Sequence, residues 1–334
     1  MAFHLTSGTL GPGALIIDPS ISANVRTMDI DSDLLERFEA GLDPQHLDRS
    51  AIPARLIGFG EISAIFQIDA DRDRAYKRMP LFKTVPEAEA YAAMYHEYCR
   101  QLTQAGLNLP ETATQVVALP RRPVVLYITQ TRVPADRIAN RLIQDMDETG
   151  FESLLEKIMD AMAGFWIYND ALGPEMELAI DGQISNWALT AAGPEEKLYY
   201  IDTSTPFIRK SGVEQLDPEL LLQAAPSFLR WLIRWLFVDD VMNRYYDPRQ
   251  VLIDMTANLI KEQRSDLVSA AVRIINASLP ADQRQVTLPE VQRYYREDKF
   301  IWTLFLAFRK LDRALATYFT RKRYEFILPG KIKR

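Results

Sequence analysis

The sequence has little of what several common classes of functional site require. In 334 residues it holds one cysteine, Cys99, and three scattered histidines, His4, His46 and His96. A single cysteine excludes an intrachain disulfide and a cysteine metal cluster, and the histidines show no metal-ligand spacing. No Gly-x-Ser-x-Gly elbow and no Gly-x-x-x-x-Gly-Lys loop occurs. Acyl transfer and a P-loop phosphate site therefore have no support.

Long apolar runs and an excess of positive charge are also absent. The most apolar stretch, 228–238, carries two arginines and is far short of the ~20 residues of a membrane span. We interpret it as a buried helix, with an interfacial membrane helix as the alternative. The net charge of −6 gives no general attraction for nucleic acid. A basic segment at 321–334 could bind an anionic partner, although such segments are usually solvated.

What remains is the composition of an ordinary globular protein, with 48 % apolar and 25 % charged residues. No basic stretch followed by an apolar run opens the sequence, so we expect no signal peptide and a cytoplasmic location. The length predicts two lobes. We expect an α+β protein with a lead-in of unclear structure over 1–50, a sheet-rich lobe over 51–131 and a helical lobe over 132–334.

The sheet-rich lobe is predicted from alternation and turn residues. Ile62, Ala64, Phe66 and Ile68 alternate with their neighbours in the period-two pattern of a strand. A strand over 75–79 follows, and Pro86 opens a helix that runs to about Gln104. Runs at 116–119 and 124–129 predict a hairpin. Beyond Pro134 helical spacing dominates, interrupted by short strands at 178–180, 187–189 and 198–201.

Two features of this lobe suggest a phosphate site. Glycines in the segment Gly58-Phe59-Gly60-Glu61-Ile62-Ser63 would let backbone amides approach phosphate closely. The same Gly-x-Gly pattern is also common in ordinary hairpin turns. On the next strand, Ala75 and Lys77 share a face. The small residue leaves room for a flat base while the lysine reaches phosphate oxygens. Glu97, or alternatively Glu89, could hold that ammonium group.

Two further features lie in the helical lobe. Asp181 and Asn186 stand five residues apart on a predicted tight loop, where a carboxylate could orient a hydroxyl proton and an amide oxygen could bind a hard cation. Asp202 ends the apolar strand at 198–201, in a position to hold Mg²⁺. Taken singly, Asp181 and Asn186 are more typical of a turn with a capping residue, and an aspartate at a strand end is also a common turn former.

In this order the four features resemble the protein-kinase-like superfamily, in particular its small-molecule branch of aminoglycoside and choline phosphotransferase relatives. The resemblance covers about 55–237 and implies a bilobal fold, with ATP and Mg²⁺ as cofactors. Asp181 would be the catalytic aspartate, and Asn186 and Asp202 the metal ligands. The remaining site residues implied are Gly58, Phe59, Gly60, Glu61 and Ser63 of the glycine loop, Ala75 and Lys77 of the strand, Glu97 as the lysine's partner, and the backbone of Gln130 and Thr131 for adenine.

Departures from the family pattern leave the activity open. Ala179 replaces the usual histidine before the catalytic aspartate, and Thr203-Ser204 replaces Phe-Gly after the metal aspartate. No Ala-Pro-Glu segment follows, which argues against a eukaryotic-type protein kinase. We expect a phosphotransferase whose partners are a nucleotide and a small-molecule hydroxyl acceptor. The alternatives are a non-catalytic nucleotide-binding module and AMP transfer on the same fold. The sequence names neither the acceptor nor the oligomeric state.

Overall fold

The N-terminal part of the chain is built on one antiparallel sheet. The computed structural model describes residues 28–60, 63–190, 196–217, 220, 239–280, 282–315 and 323–327. Helix α1 (Ser32–Gly41) precedes strands β1 (Ala54–Phe59), β2 (Ala64–Ile68) and β3 (Asp71–Phe82). Helix α2 (Val85–Gln104) then leads to β4 (Thr112–Val117) and β5 (Val124–Thr131). The strand order is β1-β2-β3-β5-β4.

The C-terminal part is mainly helical and carries short strand pairs. Helices α3 (Ala139–Asp145) and α4 (Glu148–Leu172) come first. Strand β6 (Met176–Leu178) pairs with β9 (Ile208–Lys210), which pairs with β10 (Val213–Glu214), and β7 (Trp187–Leu189) forms a hairpin with β8 (Leu198–Tyr200). The described helices that follow are α5 (Asp239–Tyr246), α6 (Pro248–Lys261), α7 (Val268–Ser278) and α8 (Leu288–Ala314).

The predicted α+β class and kinase-like order of elements are confirmed. The sheet of five antiparallel strands has one main helix between its third and fourth strands, and helices dominate thereafter. Strands β9 and β10 were not predicted. Helix α8 is continuous where two helices were expected, because no glycine or proline interrupts it after its first turn. The apolar stretch 228–238 lies outside the described residues, as does the basic segment except for residues 323–327. Among the helices that are described, none is long and apolar enough to cross a membrane.

The sheet is covered on both faces. On one face, α1 packs its buried residues Leu34, Leu35 and Phe38 against Phe66 and Tyr127 of the strands. The opposite face packs against α2, which belongs to a core that continues into the C-terminal helices. Local signals fix both helices: Asp31 accepts a hydrogen bond from the Leu34 amide at the start of α1, and Thr84 accepts one from the Glu87 amide at the start of α2.

A buried ion network anchors α1 and a C-terminal segment to the same face of the sheet. Arg78 of β3 is 1 % exposed and donates two hydrogen bonds to Glu39 of α1, at 2.7 and 2.8 Å. Arg78 also reaches the Glu325 carboxylate at 2.7 Å. Glu39 further accepts hydrogen bonds from Tyr127 at 2.6 Å and from Arg122. Burial alone would raise the pKa of Glu39, but these partners hold it below its usual value.

We expect Glu39→Gln to lower the free energy of unfolding by about 3 to 5 kcal/mol, because it breaks a buried pair and leaves Glu325 alone to balance the charges of Arg78 and Arg122. Urea denaturation measures this loss. Because the pKa of Glu39 is lowered on folding, its contribution should be complete at neutral pH and disappear as the pH falls through the lowered value. Glu36→Gln, at an exposed position of the same helix, is the matched control. Equal destabilisation by both changes would contradict the assignment.

Candidate functional site

The centre of the candidate site is an ion pair between the sheet and the loop after β8. Lys77 Nζ donates to Asp202 Oδ1 at 2.8 Å and to the hydroxyl of Ser204 at 2.8 Å. The Ser204 hydroxyl in turn donates to Asp202 Oδ1 at 2.9 Å. An ammonium, a carboxylate and a hydroxyl therefore form a closed triangle. Two of the predicted site residues, 125 positions apart in the chain, are in direct contact.

The two charges differ in their access to solvent. The Lys77 side chain is 10 % exposed, whereas the Asp202 side chain is 41 % exposed. Burial would raise the pKa of the Asp202 carboxyl, but Lys77 and Ser204 outweigh it and hold the pKa below its usual value. Asp202 is therefore ionised at neutral pH, and part of its side chain faces solvent.

The β7–β8 hairpin brings Asn186 and Asp181 to the same place. The amide of Ile201, next to Asp202, donates to the Asn186 carbonyl at 2.8 Å. The Asn186 side-chain Nδ2 donates to the Asp181 carbonyl at 3.1 Å, which leaves the amide oxygen as its ligand end. The Asp181 carboxylate accepts the Gln183 amide at 3.1 Å, the geometry of an Asx turn.

The charges of both carboxylates affect the pKa values of two buried tyrosines. Burial raises the pKa of Tyr98 and of Tyr200 well above the usual value, and the negative charges of Asp181 and Asp202 add to the shift at each of them. Lys77 contacts Asp202 directly, and the hydrogen bonds from Ile201 to Asn186 and from Asn186 to Asp181 connect that pair to the loop of Asp181. The structure therefore brings together Lys77, Asp181, Asn186 and Asp202.

The glycine loop lies in line with Lys77. Gly58 of β1 pairs with Ile65 of β2, which pairs with Lys77 of β3. Residues paired in this way share a face of the sheet. A Cβ at Gly58 would meet the Ile65 side chain at 3.0 Å, so the absence of a side chain at Gly58 lets Ile65 pack closely against the β1 backbone. The turn closes with the Gly60 amide donating to the Ser63 carbonyl at 3.0 Å. Phe59 is 41 % exposed, and Glu61 lies outside the described residues.

Ala75 lies at this site as predicted by alternation, but the predicted adenine contacts need correction. Ala75 pairs with Gln130, whose side chain donates to the Thr203 hydroxyl at 3.1 Å. Gln130 is also paired with Thr112 on its other side, and the Thr131 amide donates to the Glu111 carbonyl at 2.9 Å. The backbone of Gln130 and Thr131 is thus used within the sheet, because β5 is a central strand that extends through both residues.

Glu97 is not the partner of Lys77. Its carboxylate binds Arg100 at 2.6 and 3.0 Å and Gln101 at 2.8 Å, all on its own helix. These contacts offset partial burial and lower the pKa of Glu97. The alternative, Glu89, is exposed. Both predictions fail because the buried face of α2 is set by its tyrosines, and Glu97 points away from that face.

Those tyrosines form a row, Tyr91, Tyr95 and Tyr98, that sequence analysis missed. Their spacing of four and three residues places them on one face of α2. The Tyr91 hydroxyl donates to the Ser204 carbonyl at 2.7 Å, that of Tyr95 contacts the Thr203 hydroxyl at 3.2 Å, and that of Tyr98 donates to the Ala179 carbonyl at 2.7 Å. Three neutral hydroxyls thus join α2 to the loops that carry Asp181 and Asp202. Their periodic spacing in the sequence was the available signal.

The donor set suits a magnesium ion held jointly with phosphate. Within the described residues, no group of three or more histidine, cysteine, aspartate or glutamate side chains could hold a metal by itself. Asp202 and Asn186 instead supply one carboxylate and one amide oxygen. Mg²⁺ in phosphoryl-transfer sites is typically bound by one or two such groups, with substrate phosphates and water completing its shell.

A cavity of about 350 Å³ lies elsewhere, between α5, α6 and α8. Its wall includes Arg244, Arg249, Glu290 and Glu297, and no predicted site residue lines it. The candidate site is therefore identified by the side chains that converge there and does not coincide with this cavity.

Comparison with known proteins gives a family and several distant structural similarities. The structure is similar to WaaP in complex with acyl carrier protein, at 14 % identity over 66 % of this chain and 90 % of that one, with a TM-score of 0.32. It is similar to a double mutant of the PknI kinase domain of Mycobacterium tuberculosis, at 15 % identity over 83 % and 90 %, with a TM-score of 0.31. The bifunctional kinase-methyltransferase WbdD matches at 15 % identity over 70 % and 47 %, with a TM-score of 0.28.

None of these scores reaches 0.5, so the fold assignment rests on the chain's own strand order and helices. No curated protein matches the sequence. The sequence profile of a family of unknown function, DUF6206, matches residues 63–313, about three quarters of the chain and nearly all of the site described above. The chain belongs to that family.

Proposed function

We propose that the protein is a phosphotransferase that moves the γ-phosphoryl group of a magnesium nucleoside triphosphate to a hydroxyl of a small molecule. The observation that carries the proposal is the convergence of Lys77, Asp202, Asn186 and Asp181 beside the glycine turn. Phosphoryl transfer depends mainly on positioning and charge neutralisation, and these four side chains supply both. ATP is the donor that the family resemblance implies.

Each residue has a distinct part in this proposal. Lys77 binds phosphate oxygens as a point charge, and Gly58 and Gly60 carry no Cβ that would keep phosphate from the backbone amides of the turn. Asp202 and Asn186 hold the metal, which when bound neutralises phosphate charge. Asp181 orients the acceptor hydroxyl and accepts its proton. The domain division at 51–131 and 132–334 would place the nucleotide between the sheet and the β7–β8 hairpin.

A non-catalytic nucleotide-binding module is the second candidate. It is favoured by the departures from the family pattern at Ala179 and Thr203, next to the proposed catalytic and metal-binding aspartates. Comparing ATP with GTP in a thermal-shift experiment, with and without Mg²⁺, tests binding directly, because a ligand that binds only the folded state stabilises it. Stabilisation without phosphate transfer to any acceptor would favour this candidate.

We expect Asp181→Asn to reduce turnover by about 10² to 10⁴-fold, the usual contribution of a positioned acid or base. Nucleotide affinity should stay unchanged, because Asp181 is not a proposed phosphate or metal contact. The measurement is transfer of labelled γ-phosphate to a panel of metabolite hydroxyls, followed by mass analysis of protein and products. Asp160→Asn, on the exposed face of α4, is the control. Equal turnover in wild type and Asp181→Asn would defeat the assignment, and AMP found on the protein would indicate nucleotidyl transfer.

Ser204→Ala tests the triangle around Asp202. Removing the hydroxyl takes one hydrogen bond from the Asp202 carboxylate and one acceptor from Lys77. Hydrogen bonds to charged groups contribute about 1.5 kcal/mol or more, so we expect Mg²⁺-dependent nucleotide affinity to fall about tenfold. Tyr91→Phe, which frees the Ser204 carbonyl, should weaken binding in the same direction.

Isothermal titration with and without Mg²⁺ measures both effects. Ser269→Ala, on the exposed side of α7, controls for loss of a serine hydroxyl. If Ser204→Ala bound the magnesium nucleotide as tightly as the control did, the triangle would have no part in metal binding.

A further inference from the structure

A row of polar side chains on α6 faces the loop that carries Asp181. Asp254, Asn258 and Lys261 follow one another at four and three residues, so they share one side of the helix. Gln183 is their common partner. Its Nε2 donates to Asp254 at 3.0 Å, while its Oε1 accepts from Asn258 at 3.3 Å and from Lys261 at 3.2 Å. Both the nitrogen and the oxygen of the Gln183 side-chain amide are therefore hydrogen-bonded to α6.

Gln183 connects this row to the proposed catalytic aspartate. Its backbone amide donates to Asp181 Oδ1 at 3.1 Å. The intervening Gly182 has no room for a side chain, because a Cβ there would approach Val251 of α6 to 2.7 Å. The loop thus sits directly on α6, and the orientation of the Asp181 carboxylate depends on where Gln183 is held.

Asp254 lies among several other charged and titratable groups. Tyr294 and Asp298 approach it from α8 and Lys261 from α6, and all of them line one small cavity with Gln183. Tyr295 lines the same cavity, and Arg244 of α5 lies 5.3 Å from the Tyr294 ring. Burial, followed by the negative charge of Asp298, raises the pKa of Asp254 to about 6, although Gln183, Lys261 and Tyr294 oppose the shift.

The protonation state of Asp254 changes what it offers Gln183. An ionised carboxylate is an acceptor only, and its hydrogen bond from the Gln183 amide is charge-assisted and strong. A protonated carboxyl is a weaker acceptor and a new donor, with Asp298 among the groups it faces. Protonation therefore weakens the contact that fixes Gln183.

We propose that Asp254 is a positioning residue that orients Asp181 through Gln183, and that protonation of its carboxylate loosens the catalytic loop. The inference rests on the proposed role of Asp181 in phosphoryl transfer. It makes the site dependent on pH through a carboxylate that touches neither nucleotide nor acceptor.

A probe that contacts the loop tests this independently of activity. The Trp187 indole nitrogen donates to the Gly182 carbonyl at 3.3 Å, and the ring is buried. In protein labelled with 5-fluorotryptophan, Trp187→Phe identifies the Trp187 resonance in the ¹⁹F spectrum. We expect that resonance to titrate with a midpoint near pH 6 in the wild type. Asp254→Asn keeps an acceptor for Gln183 but cannot ionise, so the titration should vanish.

Three comparisons sharpen the result. Asp298→Asn removes the neighbouring negative charge and should lower the midpoint. His96→Gln and Asp282→Asn, which remove a histidine on α2 and an exposed carboxylate, should leave the midpoint unchanged. An unaltered titration in Asp254→Asn would overturn the proposal.

Kinetics provide the second readout. In the wild type, kcat should fall on the acidic side with an apparent pKa near 6, and Asp254→Asn should lack that limb. Persistence of the limb in Asp254→Asn would overturn the proposal even if the loop resonance responded. Absence of phosphate transfer at every pH would instead defeat the proposed function, while the Trp187 titration would still decide whether Asp254 holds the loop.

Discussion

The candidate site depends on the contact between Lys77 and Asp202, which joins the sheet to the β7–β8 hairpin. An ammonium that is 10 % exposed needs a counter-charge, because an unpaired buried charge is costly. Asp202 supplies that charge while keeping part of its carboxylate in contact with solvent. The pair therefore does two things at once. It makes burial of the lysine tolerable, and it presents an ionised oxygen ligand at the mouth of the site.

Helix α2 supports this pair through neutral groups instead of a second ion pair. Tyr91, Tyr95 and Tyr98 bind the loops at Ser204, Thr203 and Ala179, and each buried hydroxyl bond contributes about 1 kcal/mol. Without a helix carboxylate beside it, Lys77 has Asp202 and Ser204 as its partners. Under the proposed function, Asp202 would hold the metal and Lys77 would bind phosphate oxygens, whose negative charge would then neutralise the lysine.

Local sequence patterns were enough to predict most of the helices and strands and the four residues that converge at the candidate site. Strand alternation located β2 and β3, Pro86 located the start of α2, and the hairpin strand at 187–189 lies where it was predicted. Glu97 failed because a position in the middle of a helix does not tell which way a side chain points. The adenine contacts failed because the length of β5 depends on pairing with β3 and β4. Contacts such as Arg78 with Glu325 join residues 247 positions apart, and no local pattern reports them.

The candidate site and the buried ion network meet on one strand. Lys77 and Arg78 are consecutive on β3, so alternation sends them to opposite faces of the sheet. Each is buried, and each is paired with carboxylates from distant parts of the chain: Lys77 with Asp202, and Arg78 with Glu39 and Glu325. A register slip of one residue would exchange the two cations and bury each against the wrong surroundings. The ion network beneath the sheet therefore fixes the register that points Lys77 at the candidate site. In this way α1 and the segment 323–327 help to position a residue on the opposite face.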